Sequence, residues 1–207
     1  MADLKLVPVP TRILTNKDNI VDAIMEYAGH DITNHDIVCV AESVVAITQG
    51  RYIRPEELHI CWQARLMNRF VPGAGSMASI YGMQAAMEEE GKWNMLFSFI
   101  IGAVAKIFGK AGVFYARCRQ ASLIDDVTGT MPPFDKCLVY GPADTDRVCE
   151  EIKNATGAYG AVIADVNDLK RSAVLGKSKG INPGQIAKIL IDNPFGLSLI
   201  HISEPTR

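Results

Sequence analysis

The sequence predicts a mixed α/β protein with several short strands. Ile37 to Ala41 and Ala161 to Ala164 are short, uninterrupted apolar runs, which is typical of buried strands. Apolar residues recur at helical spacing elsewhere, and a strand, helix, strand order near the C-terminus favours an α/β unit. The length of 207 residues fits one domain, or two lobes that share one core. We therefore expect a single domain over residues 1–196.

The first elements are an extended segment, a helix and a strand. Residues 4–14 alternate in polarity and contain two prolines, which suits an edge strand or an extended arm. Asn16 is placed to cap a helix from Lys17 to about Ala28, which Gly29 ends. Ile37 to Ala41 follows as a predicted central strand.

The middle of the chain is predicted to be mainly helical. Val44 to Ile47 is a strand or the start of a helix. Pro55 begins a second helix, because proline is tolerated in the first turn. The expected buried stripe of this helix consists of Leu58, Cys61, Trp62, Arg65 and Leu66. A third helix runs from about Ile80 to Gly91, with Met83 and Met87 as core residues.

The most apolar stretch of the chain is Met95 to Phe108. Lys106 interrupts it, so the uninterrupted run is shorter than the ~20 residues that a membrane-spanning helix needs. Two interpretations stay open. The stretch belongs to the core of one chain, as short apolar runs usually do, or it is exposed and contributes to a homodimer interface.

The C-terminal part is predicted to alternate between strands and helices. Lys136 to Tyr140 is a strand, and Asp144 caps a helix that Gly157 closes. After the strand Ala161 to Ala164, Asn182 to Gln185 begins a last helix with proline in its first turn. The buried face of this helix consists of Ile186, Ile189 and Leu190.

Composition and charge exclude several classes of protein. The formal net charge is −2 and no basic stripe is present, which argues against a nucleic-acid-binding surface. The five cysteines form no C-x-x-C pair, so neither a disulfide framework nor a zinc site is expected. The first residues carry no basic stretch followed by an apolar signal core. We therefore expect a cytoplasmic protein that binds neither nucleic acid nor a membrane.

Two acidic clusters each follow an apolar run. Asp125 and Asp126 form the first cluster. Asp165 and Asp168 form the second, after the run that begins at Ala161. Carboxylates at the end of a buried strand are costly to desolvate unless a cation or hydrogen bonds compensate, and oxygen-rich sites suit Mg²⁺ or Mn²⁺. The alternative is that these aspartates begin turns or cap helices.

Six segments of the chain carry a resemblance to a known family. They are Asp36–Ser43, Ala46–Arg51, Val139–Val148, Ala161–Leu169, Val174–Gly180 and Asp192–Gly196. Together they resemble the coenzyme F-420-0:L-glutamate ligase (gamma-glutamyl ligase) family, discontinuously from about Val9 to Gly196. The Gly-Arg turn at Gly50 and the Asp-x-Asn-Asp segment that begins at Asp165 are moderately specific in combination.

The resemblance implies an F-420-0:glutamate-ligase-like fold, a homodimer, and an amide ligase that depends on a divalent metal and GTP. Such ligases join L-glutamate, through its amine, to a carboxylate of a phosphorylated small molecule. The carboxylate is first phosphorylated, and the amine then displaces the phosphate. Mg²⁺ or Mn²⁺ clamps the nucleotide phosphates and neutralises charge on the transferred phosphoryl oxygens. The expected partners are therefore a nucleotide, glutamate and a carboxylate acceptor.

The resemblance also assigns two metal-binding residues, and further candidates lie beside them. Asp125 and Asp165 match the two metal-binding aspartates of the family, and Asp126 lies beside the first of them. Asp165 and Asp168 are the candidate catalytic residues.

Candidate substrate- and nucleotide-binding residues lie in the same segments. They are Glu42, Gln49, Arg51, Asn167, Ser178 and Lys179. Arg51 and Lys179 are expected to pair with phosphate oxygens. The alternatives are that Lys179 lies in a solvated loop and that Glu42 is a helix or turn partner.

The chain departs from the family pattern at its first turn and at its end. Ligases of the family carry lysines where this chain has Val44 to Ile47, which leaves Arg51 as the cation at that turn. Leu197 to Arg207 resembles a translated sequencing adapter, so we expect the natural C-terminus to be missing. Two alternatives therefore stay open: a catalytically silent binding or scaffold protein of the same fold, and a related ligase with a different acceptor.

Overall fold

The computed structural model describes residues 6–71, 77, 79–124, 132–167 and 171–191, with the backbone alone at Asn167 and Arg171. The chain divides into two compact units. Unit 1 consists of Met1–Gly50 and Pro142–Arg207, and unit 2 consists of Arg51–Gly141. Each unit has its own clusters of buried apolar side chains. The single domain over residues 1–196 stays a prediction.

The described parts of the chain contain both helices and strands, so the mixed α/β class is confirmed. The helices are α1 (Ile20–Ala28), α2 (Glu42–Thr48), α3 (Trp62–Asn68), α4 (Ile80–Glu90), α5 (Lys92–Ile107), α6 (Val113–Arg117), α7 (Thr145–Thr156) and α8 (Pro183–Ile191). The strands are β1 (Ile37–Ala41), β2 (Tyr52–Ile53), β3 (Leu138–Val139), β4 (Gly160–Asn167) and β5 (Arg171–Lys177).

Unit 1 is built around a three-stranded sheet in the order β1, β4, β5. β1 pairs with β4 in parallel, and β4 pairs with β5 in antiparallel orientation. The central strand of this described sheet is therefore β4, and the prediction that Ile37 to Ala41 is central is wrong. The sequence of β1 is as apolar as that of an inner strand because its last residues, Val40 and Ala41, are buried. Its first residue, Ile37, is exposed.

Both faces of the sheet in unit 1 are covered. Ala161 and Ile163 of β4 pack in one cluster with residues of α1 and α7, including Ile20 and Ile152. The alternate β4 residues pack in a second cluster with α8. A strand that is buried on both faces reads as a continuous apolar run, which explains why the sequence signal of β4 is strong.

Helix α1 begins later than predicted. Asn19, and not Asn16, is its N-cap, and the Asn19 side chain accepts hydrogen bonds from the amides of Val21 and Asp22. Asp18 fixes the preceding turn, because it accepts hydrogen bonds from Arg12 and Thr15. The predicted end at Gly29 is confirmed.

Helix α7 ends at the predicted residue, begins at Thr145 directly after the predicted cap Asp144, and differs from the prediction in how that cap acts. Asp144 occupies the N-cap position with a left-handed φ of 47°, and its side chain makes no capping hydrogen bond. Gly157 ends the helix in the left-handed conformation that glycine adopts without strain. The last helix, α8, begins as predicted, with the Asn182 side chain accepting from the amides of Gly184 and Gln185.

In its described residues, unit 2 combines the short β2–β3 pair with four helices around a methionine-rich core. The predicted positions of Met83 and Met87 in the core of α4 are confirmed. The predicted helix from Pro55 is wrong, because Pro55–Glu57 forms only a 3₁₀ turn and α3 starts at Trp62. Leu58 and Cys61, which lie between this turn and α3, have extended backbones. The predicted buried stripe therefore does not lie on one continuous helix, and Trp62 is 58% exposed.

The apolar stretch Met95 to Phe108 lies mainly in α5 and is not a core element. Met95 and Ser98 are its buried residues. Its large apolar side chains are otherwise mostly exposed, with Phe97 at 57% and Ile107 at 82%. The core interpretation of this stretch is therefore wrong for most of its side chains. None of the described helices combines the length and apolarity that crossing a membrane requires.

Candidate active site

Two carboxylates leave neighbouring parallel strands at the same end of the unit 1 sheet. Ala41 of β1 is the register partner of Ala164 of β4. The next residues are Glu42, which begins α2, and Asp165, so both residues follow the last paired residues of β1 and β4 at the same end of the sheet. The carboxyl ends of parallel strands are where open α/β sheets place their ligands. We take this end of the sheet as the candidate site.

Asp165 is half-buried in the antiparallel pair of β4 with β5, opposite Ala173. Strand alternation places it on the same face as Ile163, which packs in the α1 and α7 cluster. Burial raises the pKa of the Asp165 carboxyl above its usual value. Within the part of the chain that the structure describes, no hydrogen bond or ion pair holds this carboxylate, so a bound cation would offset its desolvation.

Glu42 is buried at the first position of α2. The strand that precedes it ends at Ala41, and α2 starts without an intervening loop. A carboxylate in the first helical turn is favoured by the partial positive charge of the helix N-terminus. Of the two predictions for Val44 to Ile47, the helix is correct, and it begins two residues earlier, at Glu42. The role of Glu42 toward a substrate amine or metal stays a prediction.

A β-bulge in β5 lies beside the candidate site. Ile163 pairs with Gly176, but the next residue of β4 pairs with Val174, so Leu175 is the extra residue. The Leu175 carbonyl oxygen accepts a hydrogen bond from Thr145 Oγ1 at 2.8 Å. This bond ties the bulge to the start of α7. The bulge therefore helps to set the path of β5 alongside the end of β4 that carries Asp165.

Gly176→Ala is expected to destabilise unit 1. A Cβ at position 176 would come within 2.7 Å of both the carbonyl carbon and Oγ1 of Thr145, so the bulge or α7 must move. Such overpacking costs about 1–3 kcal/mol, and each kcal/mol lowers the melting temperature by about 2–4 °C in a chain of this size.

The matched control is Gly184→Ala in α8. A Cβ there meets only Asn182 Oδ1, at an ordinary 3.5 Å, and alanine favours the helix. Thermal unfolding followed by circular dichroism compares the two variants. A Gly176→Ala protein that melts like the Gly184→Ala protein would contradict the proposed tight packing of the bulge.

Ser178 and Lys179 lie away from Glu42 and Asp165. The Ser178 hydroxyl is buried and accepts from the Ala161 amide at 2.9 Å, and the Ser178 amide donates to the Ala161 carbonyl at the same distance. Ala161 precedes Asp165 by four residues, which is about 13 Å along a strand. The exposed Lys179 also lies at this opposite end, where its amide donates to Glu150. Ser178 and Lys179 therefore do not lie close to the Glu42 and Asp165 carboxylates.

Gln49 already makes two hydrogen bonds within unit 1. Its Nε2 donates to the Ala143 carbonyl at 3.0 Å, and its Oε1 accepts from the Ala143 amide at 2.8 Å. This paired arrangement joins the end of α2 to the segment before α7. The predicted substrate-binding role of Gln49 would require this arrangement to open.

Arg51 is also engaged, within unit 2. Its Nε donates to the Gly141 carbonyl at 2.6 Å, and its Nη2 forms an ion pair with Glu89. The guanidinium also lies 5.9 Å from the ring centroid of Tyr140. Burial, with nearby Glu88 and Glu89 charges, raises the pKa of Tyr140 to about 12. Arg51 would have to exchange its carboxylate partner to bind a phosphate.

The remaining predicted site residues lie outside the described residues. These are Asp125, Asp126 and Asp168. For Asn167 the structure gives the backbone at the end of β4, opposite Arg171. Among the described residues, no group of three or more His, Cys, Asp and Glu side chains could hold a metal ion. Asp165 is thus the one predicted metal ligand whose surroundings the structure describes.

A comparison with protein-family models identifies the family. The model for F420-0:gamma-glutamyl ligase matches residues 8–184. The chain belongs to this ligase family. The predicted family is therefore confirmed, and the match spans residues of both units. No match was found among curated proteins.

The carboxylates at the sheet end suit the metal that the ligase family resemblance implies. Glu42 and Asp165 supply hard oxygen donors, the type that Mg²⁺ and Mn²⁺ bind. Both side chains are at least half-buried, where an uncompensated charge is costly. Asp165 would hold such a cation, with Glu42 in a neighbouring position. A bound divalent cation would supply charge neutralisation for phosphoryl oxygens at this point.

The sequence analysis did not identify the contacts that stabilise the end of the unit 1 sheet opposite Glu42 and Asp165. Two acidic residues of α7, Asp146 and Glu150, accept hydrogen bonds from the backbone amides of Lys177 and Lys179. Their spacing of four places them on one face of the helix. That spacing is visible in the sequence, but their partners depend on how α7 packs on the sheet.

Proposed function

We propose that the protein is a divalent-metal- and nucleotide-dependent amide ligase. It adds L-glutamate, through its amine, to a carboxylate of a phosphorylated small molecule similar to F-420-0. The family match over residues 8–184 carries this proposal, because the family is one of gamma-glutamyl ligases. GTP is the proposed co-substrate, and Mg²⁺ or Mn²⁺ is the proposed cofactor. The two neighbouring carboxylates at the ends of β1 and β4 support a metal-dependent reaction.

The proposed reaction has two steps. A carboxylate oxygen of the acceptor attacks the γ-phosphorus of the nucleotide, and the nucleoside diphosphate leaves. The amine of glutamate then attacks the acyl carbon, inorganic phosphate leaves and the amine loses a proton. Because phosphoryl transfer depends mainly on positioning and charge stabilisation, the protein needs carboxylates that hold the cation. Asp165, with Asp125 and Asp126, is proposed for this role, and Asp168 with Asn167 for contacts to the reacting groups.

The second candidate function is a catalytically silent protein of the same fold. Arg51, the cation that the sequence leaves at its first turn, is paired with Glu89. In addition, Val45, Ala46 and Ile47 are buried in α2, so these positions belong to the core and offer no phosphate-binding charge. Both observations reduce the cations that are free to bind a nucleotide at this turn.

Glutamate-dependent phosphate release tests the proposed function. The full chain is incubated with GTP, Mn²⁺, L-glutamate and a panel of phosphorylated carboxylate acceptors. The proposal expects phosphate release that needs both glutamate and an acceptor, and the panel separates an F-420-0-like acceptor from a different one. If no acceptor on the panel supported glutamate-dependent phosphate release, the proposed reaction would be contradicted.

A thermal shift with ligands is expected to separate the ligase from the silent alternative. A nucleotide that binds the folded state alone, at about 100 times its Kd, stabilises the fold by about 2.7 kcal/mol. We expect GTP with Mn²⁺ to raise the melting temperature more than Mn²⁺ alone, and ATP serves to compare the bases. A melting temperature that neither nucleotide changes would favour the silent protein.

We further propose, on the family resemblance, that the protein is a homodimer. Closed two-fold dimers are the commonest oligomers of soluble chains. Light scattering at low micromolar concentration is expected to give twice the chain mass of 22.6 kDa. A measured mass near that of one chain would contradict the dimer.

A further inference from the structure

The bulge in β5 determines which residue lies opposite Asp165. A regular ladder, with one residue of β5 for each residue of β4, would place Val174 there. Because Leu175 is an extra residue, Ala173 takes that position instead. Residues directly opposite each other in an antiparallel pair project from the same face of the sheet, with Cβ atoms about 4.5–5.5 Å apart. The Ala173 methyl group is therefore the cross-strand neighbour of the Asp165 side chain.

The packing of β5 agrees with this register. Val174 packs with Ala164 in the cluster on the α8 side of the sheet. Leu175 packs on the other side, in the cluster with α1 and α7. Since side chains alternate along a strand, Ala173 lies on the same side as Leu175, which is also the side of Asp165. Without the bulge, the valine would lie on this side and the alanine would not.

Helix α7 begins at the level of the bulge and leads away from Ala173. Its first residue, Thr145, donates a hydrogen bond to the Leu175 carbonyl at 2.8 Å. Farther along the helix, Glu150 accepts a hydrogen bond from the amide of Lys179, at the other end of β5. Ala173 itself is exposed. The small side chain and the position of the helix start therefore leave room beside the Asp165 carboxylate.

A larger residue opposite Asp165 would fill this room. Mg²⁺ and similar cations keep several water molecules or phosphate oxygens when they bind one or two carboxylates. A carboxylate can hold such a cation only if space beside it admits these further ligands. Val174, which a regular ladder would supply, is branched at Cβ and would occupy part of that space. Alanine is the smallest side chain that keeps a regular strand backbone.

We propose that the bulge in β5 keeps the space beside the Asp165 carboxylate open for a hydrated divalent cation, by placing Ala173 opposite it. Leu175 forms the bulge and the Thr145 hydroxyl fixes it. Ala173 acts through its small size and is not itself a ligand. This inference rests on the proposed function, because that function supplies the cation. It adds a residue that shapes the site and lies outside both acidic clusters.

Ala173→Lys tests the placement of this residue in the full chain without metal. A lysine opposite Asp165 would pair with a carboxylate that no described residue holds, and cross-strand pairs of opposite charge are stabilising. We expect the melting temperature of the metal-free protein to rise by about 2–4 °C. Ala173→Met has a side chain of similar length without the charge and should give no such rise.

Ala155→Lys controls for the added positive charge. Ala155 is an exposed residue of α7, near the end of the helix that precedes the start of β4 and therefore far from Asp165. A single exposed substitution usually changes stability little. The metal-free Ala155→Lys protein should therefore melt like the unchanged protein.

Titration with Mn²⁺ in the presence of GTP tests the role of the space. We expect both the Ala173→Met and the Ala173→Lys proteins to bind Mn²⁺ about tenfold or more weakly, the range found when the surroundings of a metal ligand are altered. The longer side chains fill the space, and the lysine also repels the cation. The Ala155→Lys protein should bind like the unchanged protein.

Three results would overturn the proposal. If the metal-free Ala173→Lys protein melts like the Ala155→Lys protein, Ala173 does not lie opposite Asp165. If the Ala173→Met protein binds Mn²⁺ as tightly as the unchanged protein, the space has no role in holding the cation. Both results leave the proposed function standing. If the unchanged protein binds no Mn²⁺ in the presence of GTP, the proposed metal-dependent function and this inference fail together.

Discussion

Asp165→Asn is expected to abolish divalent-cation binding while leaving the fold intact. Asparagine has the shape of aspartate, and Asp165 is half-buried at the end of β4, beside Glu42. The substitution removes the negative charge that would hold the cation. We expect the Mn²⁺ affinity in the presence of GTP to fall by more than ~100-fold. Removing a residue that only hydrogen-bonds to a metal ligand already lowers metal affinity about 10–100-fold, and Asp165 is proposed as a ligand itself.

The effect on stability separates loss of the metal from loss of the fold. Burial raises the pKa of Asp165, which means that the charged carboxylate is desolvated in the folded protein. A neutral asparagine removes that cost, so the metal-free variant should melt no lower than the unchanged protein. Addition of Mn²⁺ should then raise the melting temperature of the unchanged protein alone.

Asp31→Asn is the matched control, because Asp31 is exposed in unit 1 and follows α1. It should bind Mn²⁺ like the unchanged protein. Isothermal titration with Mn²⁺ in the presence of nucleotide measures all three proteins. Unchanged affinity in the Asp165→Asn protein would show that Asp165 does not bind the metal.

Local signals were sufficient to predict several elements. Helix α4 starts at the predicted residue, with Ser79 accepting the capping hydrogen bond from Gly82. The start of α8 and the ends of α1 and α7 were likewise visible in caps and glycines. These features depend on a few neighbouring residues, so the sequence specifies them directly.

Features that depend on distant partners were not visible. Asn16 and Asn19 are equally good caps in the sequence, and the bond between Arg12 and Asp18 fixes the turn that leaves the helix start to Asn19. The composition of α5 showed an apolar segment but not which of its sides a neighbouring helix covers. The exposure of its side chains rules out the core interpretation for most of Met95 to Phe108.

The candidate site was predictable in part for the same reason. The apolar run before Asp165 indicated a strand that ends at this carboxylate. The structure confirms the strand but extends it to Asn167, so Asp165 lies within β4 near its end. Its neighbour Glu42 is far away in the sequence, and only the parallel pairing of β1 with β4 brings the two together. The pairing of Arg51 with Glu89 has no local signal either, so its expected role at a phosphate was inferred without knowledge of its partner.

Met95→Asp and Ile101→Asp are expected to have opposite outcomes although both lie in α5. Met95 is fully buried in the methionine-rich core of unit 2, whereas Ile101, on the outer side of the helix, is 42% exposed. A carboxylate at position 95 would be buried without a compensating partner, at a cost of about 4 kcal/mol or more. That is a large part of the 5–15 kcal/mol that typically stabilises a folded protein. At position 101 the carboxylate points to solvent, so the substitution should cost less than about 1 kcal/mol.

The comparison decides which side of α5 is core, and the two variants serve as controls for each other. Circular dichroism and thermal unfolding of the purified proteins provide the measurement. We expect the Ile101→Asp protein to unfold cooperatively near the temperature of the unchanged protein, and the Met95→Asp protein to lose cooperative unfolding or to be insoluble. If Ile101→Asp failed to fold, the outer side of α5 would belong to the core. If Met95→Asp folded normally, the inner side of α5 would not be the side that packs on the core of unit 2.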